Sequence, residues 1–155
     1  MATYNRTVTG GGTVGHPGNV ARPYVVTSPV YDAVDNTSLA GDDIVQLVDL
    51  PADTMVIGGC LEVLEASGNA QITLDVGTST DVDAFVDGGA SNAAADIQFN
   101  LKAAGGNIVT SADTVMVTVL DAGSSGTTAL RFRVHAVCVD ISRNPTESAT
   151  VSTGT

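Results

Sequence analysis

The sequence is poor in charged and aromatic residues. Its 155 residues include no tryptophan, 4% aromatic residues and 15% charged residues. Because an ordinary soluble domain carries about 25% charged residues, the surface of this chain has unusually little charge. Aliphatic side chains must fill the core, and such a surface fits a subunit that neighbouring subunits partly cover.

Basic residues are much scarcer than acidic ones. Six Lys and Arg stand against seventeen Asp and Glu, which gives a net charge of −11. Since affinity for phosphate comes mainly from Lys and Arg, this composition predicts no nucleic-acid partner. The charge is also uneven: residues 1–31 contain Arg6, Arg22 and no acid, whereas residues 23–101 contain thirteen acids and no base.

The chain has only two cysteines and no long apolar run. Cys60 and Cys138 each lie in an apolar stretch, which predicts two reduced, buried thiols that pack as small hydrophobic residues. A disulfide between facing sheets is the alternative. No run of about 18 apolar residues occurs, so no membrane segment is predicted. The opening residues lack the apolar stretch of a secretory signal.

Few residues suit catalysis or cofactor binding. Residues 10–15 match the spacing G-x-G-x-x-G, but they lie in a stretch rich in Gly and Pro, without the strand and helix that flank a dinucleotide site. No G-x-S-x-G sequence occurs, and nothing in the sequence points to a nucleophile for His16 or His135. We therefore predict no catalytic residues, no cofactor and no enzymatic activity.

Four acids lie within thirteen residues of the sequence: Asp75, Asp81, Asp83 and Asp87. Calcium binds clustered oxygen atoms in flexible loops, so a calcium site is one interpretation. The spacing does not match an EF-hand loop, because no Glu occupies its last ligand position. We favour a solvated loop in which Asp side chains cap turns, and we predict no metal site.

Turn-forming residues divide the chain into three parts. Residues 1–35 contain repeated Gly and Pro residues, which prevent a helix and interrupt strands, so they predict an extended N-terminal arm. Residues 36–142 show strand patterns separated by turn signals, as is typical of a β-sandwich. Residues 143–155 form a tail rich in Ser and Thr.

The predicted fold class is all-β, an antiparallel β-sandwich. Alternation of Ile72, Leu74 and Val76 with polar residues marks a half-buried strand. The last strand has a charged face that becomes apolar at Val137 and Val139, which predicts burial of its second half on both faces. The predicted elements are the strands Asp43–Leu50, Thr54–Glu65, Ala70–Val76, Val82–Val86, Ile97–Leu101, Thr114–Leu120 and Thr128–Ile141, and a helical turn in Ala90–Ala95.

Three stretches combine strand and turn residues in a distinctive pattern. They are Leu39–Leu64, which contains Ala-Gly-Asp, Leu-Pro-Ala and Gly-Gly, then Ile72–Gly88, which contains Leu-Asp-Val-Gly, and the closing strand Arg131–Asp140. Together they resemble structural proteins of tailed phages, including cyanophages, over about residues 39–140. The resemblance implies a jelly-roll-like sandwich and a head decoration (cement) protein, a family without catalytic residues.

The resemblance also implies partners and a location. Such proteins commonly form trimers that clamp capsid subunits, so the implied partners are the major capsid protein and further copies of this chain, on the outer surface of the virion. The arm lies outside the resemblance. Because it cannot form a core, we expect it to bind a neighbour by strand addition. The predicted interface residues are Arg6, Arg22, Tyr24, Val25, Val26, Val30 and Tyr31.

Two other functions are compatible with the sequence. The first is a different virion component, such as a tail, baseplate or head-fibre protein. The second is a secreted carbohydrate-binding module. Sugar sites usually present exposed aromatic rings, whereas this chain has no tryptophan and three tyrosines, so the sequence favours the virion.

Overall fold

All regular elements in the described part of the chain are β-strands. The computed structural model describes the backbone of residues 3–9 and the complete residues 23–36, 39–101, 107–121, 126–127 and 129–141. No helix occurs in these ranges, so none there could span a membrane. The predicted all-β fold class is confirmed.

The described residues form eleven strands that assemble into two sheets. In chain order the strands are β1 (Thr3–Thr9), β2 (Pro23–Thr27), β3 (Tyr31–Asp32), β4 (Ile44–Leu50), β5 (Thr54–Glu65), β6 (Ile72–Gly77), β7 (Val86–Ala90), β8 (Ala95–Gln98), β9 (Ile108–Val109), β10 (Asp113–Asp121) and β11 (Arg131–Asp140).

The two sheets are mainly antiparallel. Sheet A has the strand order β1-β4-β10-β6-β7, in which β1 runs parallel to β4 and the other neighbours are antiparallel. Sheet B has the order β2-β11-β5-β8, with β3 also paired to β11 and β9 to β5, and all its pairings are antiparallel. This is the predicted β-sandwich.

The core lies between the sheets and is mainly aliphatic. Alternate side chains of β11 are fully buried, beginning with Phe132. The few aromatic rings stack in pairs: the ring centroids of Tyr31 and Phe132 are 5.4 Å apart, and those of Phe85 and Phe99 are 5.1 Å apart. Since each fully buried large apolar side chain contributes about 1.5–3 kcal/mol, this layer supplies most of the driving force for folding.

Two strands agree closely with the sequence prediction. β5 has the predicted bounds, Thr54–Glu65. In β6 the side chains of Ile72, Leu74 and Val76 are at most 1% exposed. Their common burial follows from the two-residue period of a strand, which places them on one face.

The predicted helical turn in Ala90–Ala95 is wrong. Ala90 is the last residue of β7 in sheet A, and Ala95 is the first of β8 in sheet B. Between them the fully buried hydroxyl of Ser91 donates a hydrogen bond to the carbonyl of Ile72 at 2.7 Å. This bond to β6 anchors a crossing between the sheets, and it outweighs the helical preference of the alanines.

The strands on either side of this crossing are displaced from their predicted positions. The stretch Val82–Val86 was expected to be a strand, but only its last residue belongs to β7. The N–H of Ala84 donates to a carbonyl three residues earlier at 3.3 Å, so a turn precedes the strand. Likewise, the strand expected at Ile97–Leu101 lies at Ala95–Gln98.

Residues 23–36 belong to the sandwich and not to an arm. β2 pairs with β11 along Pro23–Thr27, and β3 continues the same edge. Val26 and Tyr31 are 8% and 1% exposed and lie in the core. Pairing with a strand far along the chain therefore outweighs the local signals of Pro23 and Pro29. Residues 10–22 of the predicted arm and the predicted tail, 143–155, lie outside the described residues.

Candidate interaction surfaces

The acidic loop does not converge on a metal site. Asp75 is 7% exposed, and its Oδ1 accepts the backbone N–H of Gly88 at 2.7 Å, which ties β6 to β7. No group of three or more His, Cys, Asp or Glu side chains in the described ranges is arranged to hold a metal ion. The calcium interpretation therefore gains no support from the geometry of this loop.

A polar cluster crosses the outer face of sheet B. Nε of Arg133 and Nε2 of His135 both contact Oε2 of Glu62, the imidazole at 3.0 Å. Because a carboxylate only accepts hydrogen bonds, Nε2 of His135 carries a proton. When the imidazole is neutral, its Nδ1 accepts the hydroxyl proton of Thr27, 2.9 Å away. The cluster therefore joins β2, β11 and β5.

The charges of this cluster stabilise one another. The pKa of Glu62 is lowered, mainly by its hydrogen bond with Arg133 and next by its bond with His135. The pKa of Arg133 is raised, first by the same bond to Glu62. Nearby, Nε of Arg131 lies 2.9 Å from Oδ2 of Asp32. This end of sheet B is thus a set of solvated ion pairs, which usually contribute little to stability.

The other end of the same outer face is apolar. Two rows of residues that cross β2, β11, β5 and β9 contain no charged and no hydroxyl side chain. Val25 is 65% exposed and Ile108 is 44% exposed. A Cβ atom at Gly58 would meet nothing within 4 Å, so this position leaves open space. We call this surface the apolar end of sheet B; it consists of Pro23, Val25, Met55, Gly58, Ile108, Val137 and Val139.

Exposed apolar side chains concentrate in sheet B and the segments beside it. Seven large apolar residues are exposed in the described part of the chain, and only Val82 lies beside sheet A, in the loop between β6 and β7. A concentration of this kind marks an interaction surface. The other six are Val25, Val30, Val34, Ile57, Leu64 and Ile108.

Sheet A has the opposite character. Strands β4, β6, β7 and β10 contain no Lys or Arg. The two basic side chains that the structure describes, Arg131 and Arg133, both lie on β11 of sheet B. Four strands of sheet A therefore carry acids but no Lys or Arg of their own. The acids on its four strands are Asp49, Asp75, Asp87, Asp113 and Asp121.

A cleft on sheet A offers little to a sugar. It lies between Asp49 and Asp113, and no aromatic residue lines it. The carboxylate of Asp113 already has a hydrogen-bond partner within the chain, because its Oδ2 accepts the hydroxyl proton of Ser79 at 2.8 Å. The stacking surface on which carbohydrate-binding sites usually depend is thus missing from this cleft.

Both cysteines are free thiols, as predicted. Cys138 is fully buried, and burial raises its pKa to about 11. Cys60 is half-buried, and its pKa is raised by burial first and then by the neighbouring Asp96 and Glu62. Cys60 pairs in register with His135, so the two thiols are not cross-strand partners.

Three of the predicted interface residues pack within this chain. Val26 and Tyr31 lie in its core, so their burial needs no neighbouring subunit. Tyr24 is half-buried and packs against the same core. Part of the apolar surface that the sequence predicts to bind a neighbouring subunit therefore packs inside the sandwich of this chain.

The other four predicted interface residues remain candidates. Val25 and Val30 are 65% and 39% exposed. Arg6 and Arg22 lie outside the residues whose side chains are described, so an interface there stays a prediction. The exposed valines, in contrast, are placed at one edge of sheet B, where a partner can reach them.

Of the seven residues of the apolar end, the predicted interface includes only Val25 and misses the other six, among them Met55, Ile108 and Val137. A signal was present, since the second half of the last strand is apolar on both faces. We interpreted it as complete burial, and Val139 is indeed only 8% exposed. Val137, however, is half-buried on the outer face, beside the open position of Gly58.

The fold resembles chains from two phage capsids. A chain of the cyanophage Pam1 capsid asymmetric unit matches with a TM-score of 0.60 and 16% identity, covering 83% of this chain and 93% of that chain. A chain of the Ralstonia phage GP4 capsid matches with a TM-score of 0.58 and 18% identity, covering 86% and 97%. No protein-family model and no curated protein matches the sequence. At these identities the likeness establishes a shared fold.

Proposed function

We propose that this chain is a structural virion protein that cements a phage head from its outer surface. The observation that carries this proposal is the shared fold. Chains in two phage capsids match more than four fifths of this chain and more than nine tenths of their own length. The resemblance of residues 39–140 to tailed-phage structural proteins supports the same class.

The matched size supports a decorating role. The sandwich makes up nearly the whole of each neighbouring chain, which leaves little additional chain for building a closed shell. A compact sandwich can instead bind where major capsid subunits meet and bridge them. Many such bridges act together on one shell, so each contact can be weak.

The two faces of the sandwich suit this position. Sheet A carries acids on four strands without a basic residue, which favours contact with water. In the described part of the chain, sheet B and its flanking segments carry six of the seven exposed large apolar side chains. The apolar surface serves subunit contacts, in which copies of this chain form a homotrimer and engage the major capsid protein.

The direct test of this function is binding to undecorated heads. Purified protein is mixed with heads that lack it, and bound protein is measured by co-sedimentation over a range of concentrations. We expect saturable binding at a fixed number of copies per head, and decorated heads that resist heat or chelator better than bare ones. An unrelated acidic β-sandwich of similar size is the control. Binding no stronger than this control contradicts the proposal.

A further inference from the structure

Among the described residues, β2 pairs with β11 on one side and with no strand on its other side, the outer edge of sheet B. The N–H of Ser28 donates to the carbonyl of Val134 at 2.9 Å, so this pair is a hydrogen-bonded pair of the β2–β11 ladder. Because such pairs alternate in an antiparallel ladder, Val26 and Tyr24 also direct their backbone groups to β11. The N–H and C=O groups of Val25, in contrast, point away from the sheet.

The side chains of β2 confirm this assignment. Residues of a non-hydrogen-bonded pair approach most closely, and Thr27 and His135, which form such a pair, have their polar atoms 2.9 Å apart. Pro23, which has no N–H, occupies an outward-directed position, where a strand tolerates proline. β2 therefore loses no bond to β11 through its proline. The outward N–H and C=O groups of Val25 have no strand partner in the described part of the chain.

β2 also lacks the usual protection of a strand edge. Proteins place charged side chains on exposed edges to prevent pairing with other chains. The strands β1, β3, β7 and β8 each contain a charged residue, whereas the five residues of β2 and the two residues of β9 contain none. Val25 of β2 is 65% exposed. The one protecting feature of β2 is Pro23, at its end.

The charge of the chain indicates what covers this edge. Two copies, each with a net charge of −11, repel each other wherever acids face acids, and this repulsion is strongest at close approach. The apolar end of sheet B and the β2 edge beside it carry no charge. Copies can therefore approach closely there, and the open space at Gly58 can accept a side chain.

We propose that copies of this chain associate through the β2 edge and the apolar end of sheet B. This inference rests on the proposed self-association and specifies its surface. Backbone groups of Val25 pair with a strand of the neighbouring copy, and the apolar rows pack against that copy. The acidic strands of sheet A then point away from the interface, which keeps their mutual repulsion small.

The test is sedimentation velocity of the full chain and three variants over a range of concentrations. Val25→Asp and Ile108→Asp place a charge at two separate points of the proposed surface. Val25→Pro removes only the outward N–H, so it should leave the bonds between β2 and β11 intact. The matched control is Val82→Asp, because Val82 is 42% exposed, close to the 44% of Ile108, but lies beside sheet A. Circular dichroism verifies that each variant is folded.

We expect the wild-type chain and Val82→Asp to associate equally. The three variants on sheet B should weaken association by at least about tenfold, as is usual for residues central to an interface. Folded Val25→Asp and Ile108→Asp variants that associate like wild type overturn the inference, as does equal weakening by Val82→Asp. A monomeric wild-type chain refutes the self-association itself. Variants that stay associated but no longer bind heads reassign the surface to the capsid protein.

Discussion

Replacing Tyr31 by alanine tests whether residues 23–36 are part of the sandwich. Tyr31 lies in β3 at the edge of sheet B, and its side chain is 1% exposed. Its ring stacks on Phe132, with 5.4 Å between centroids and 25° between ring planes. A residue of a free arm would make no such contact, so the effect of its removal distinguishes the two arrangements.

The expected loss of stability is large. Truncation of a buried aromatic side chain to alanine costs about 3–5 kcal/mol, because transfer free energy is lost and a cavity remains. The total free energy of unfolding of a domain is only about 5–15 kcal/mol. Tyr31→Ala should therefore remove about a fifth or more of the stability, although the sequence predicts that this residue lies in an extended arm.

Urea denaturation followed by far-UV circular dichroism measures this loss. The matched control is Val30→Ala, because Val30 precedes Tyr31 directly but is 39% exposed. We expect the control to remain within about 0.5 kcal/mol of wild type. A Tyr31→Ala variant with an unchanged urea midpoint would refute the placement of β3 in the sandwich.

Three further predictions concern individual residues. Gly59→Ala should lower the free energy of unfolding by about 1–3 kcal/mol, because a Cβ there would lie 2.2 Å from a backbone oxygen of β11. Gly58→Ala, which has open space, should change it by no more than about 1 kcal/mol; equal urea midpoints for the two variants contradict this prediction. Without reductant, alkylation of the folded protein should label Cys60 before Cys138, whose burial raises its pKa to about 11, and unfolding should label both; thiols that react only after reduction indicate a disulfide. Glu62→Gln should be less stable than wild type near neutral pH, and the difference should shrink as the pH falls through the lowered pKa of Glu62, because only the ionised carboxylate stabilises the fold. Urea midpoints of variant and wild type that diverge further as the pH falls contradict this prediction.

Local patterns predicted the strands whose burial alternates within one sheet. The bounds of β5 and the buried row Ile72, Leu74 and Val76 follow from turn residues at the strand ends and a two-residue period. These signals depend only on neighbouring residues. The same reasoning failed at Ala90–Ala95, where one buried hydroxyl, that of Ser91, decides the path of the chain.

Long-range pairing was hidden from the sequence. The segment Tyr24–Thr27 is β-prone, but it is short and Pro23 and Pro29 flank it, so its place in a sheet was not predicted. Its partner, β11, lies more than a hundred residues later. The apolar end had a local signal in Val137 and Val139. Whether an apolar row is covered or exposed depends, however, on how many layers pack on the sheet, and strand periodicity does not contain that information.

The most direct test of the proposed function is an electron cryomicroscopy image of bare heads incubated with this protein. We predict added density on the outer surface of the shell, with threefold symmetry, at positions where major capsid subunits meet. The bare heads without added protein provide the control. Density at a tail, baseplate or isolated fibre, or a shell without added density under conditions that saturate binding, would contradict the proposed function.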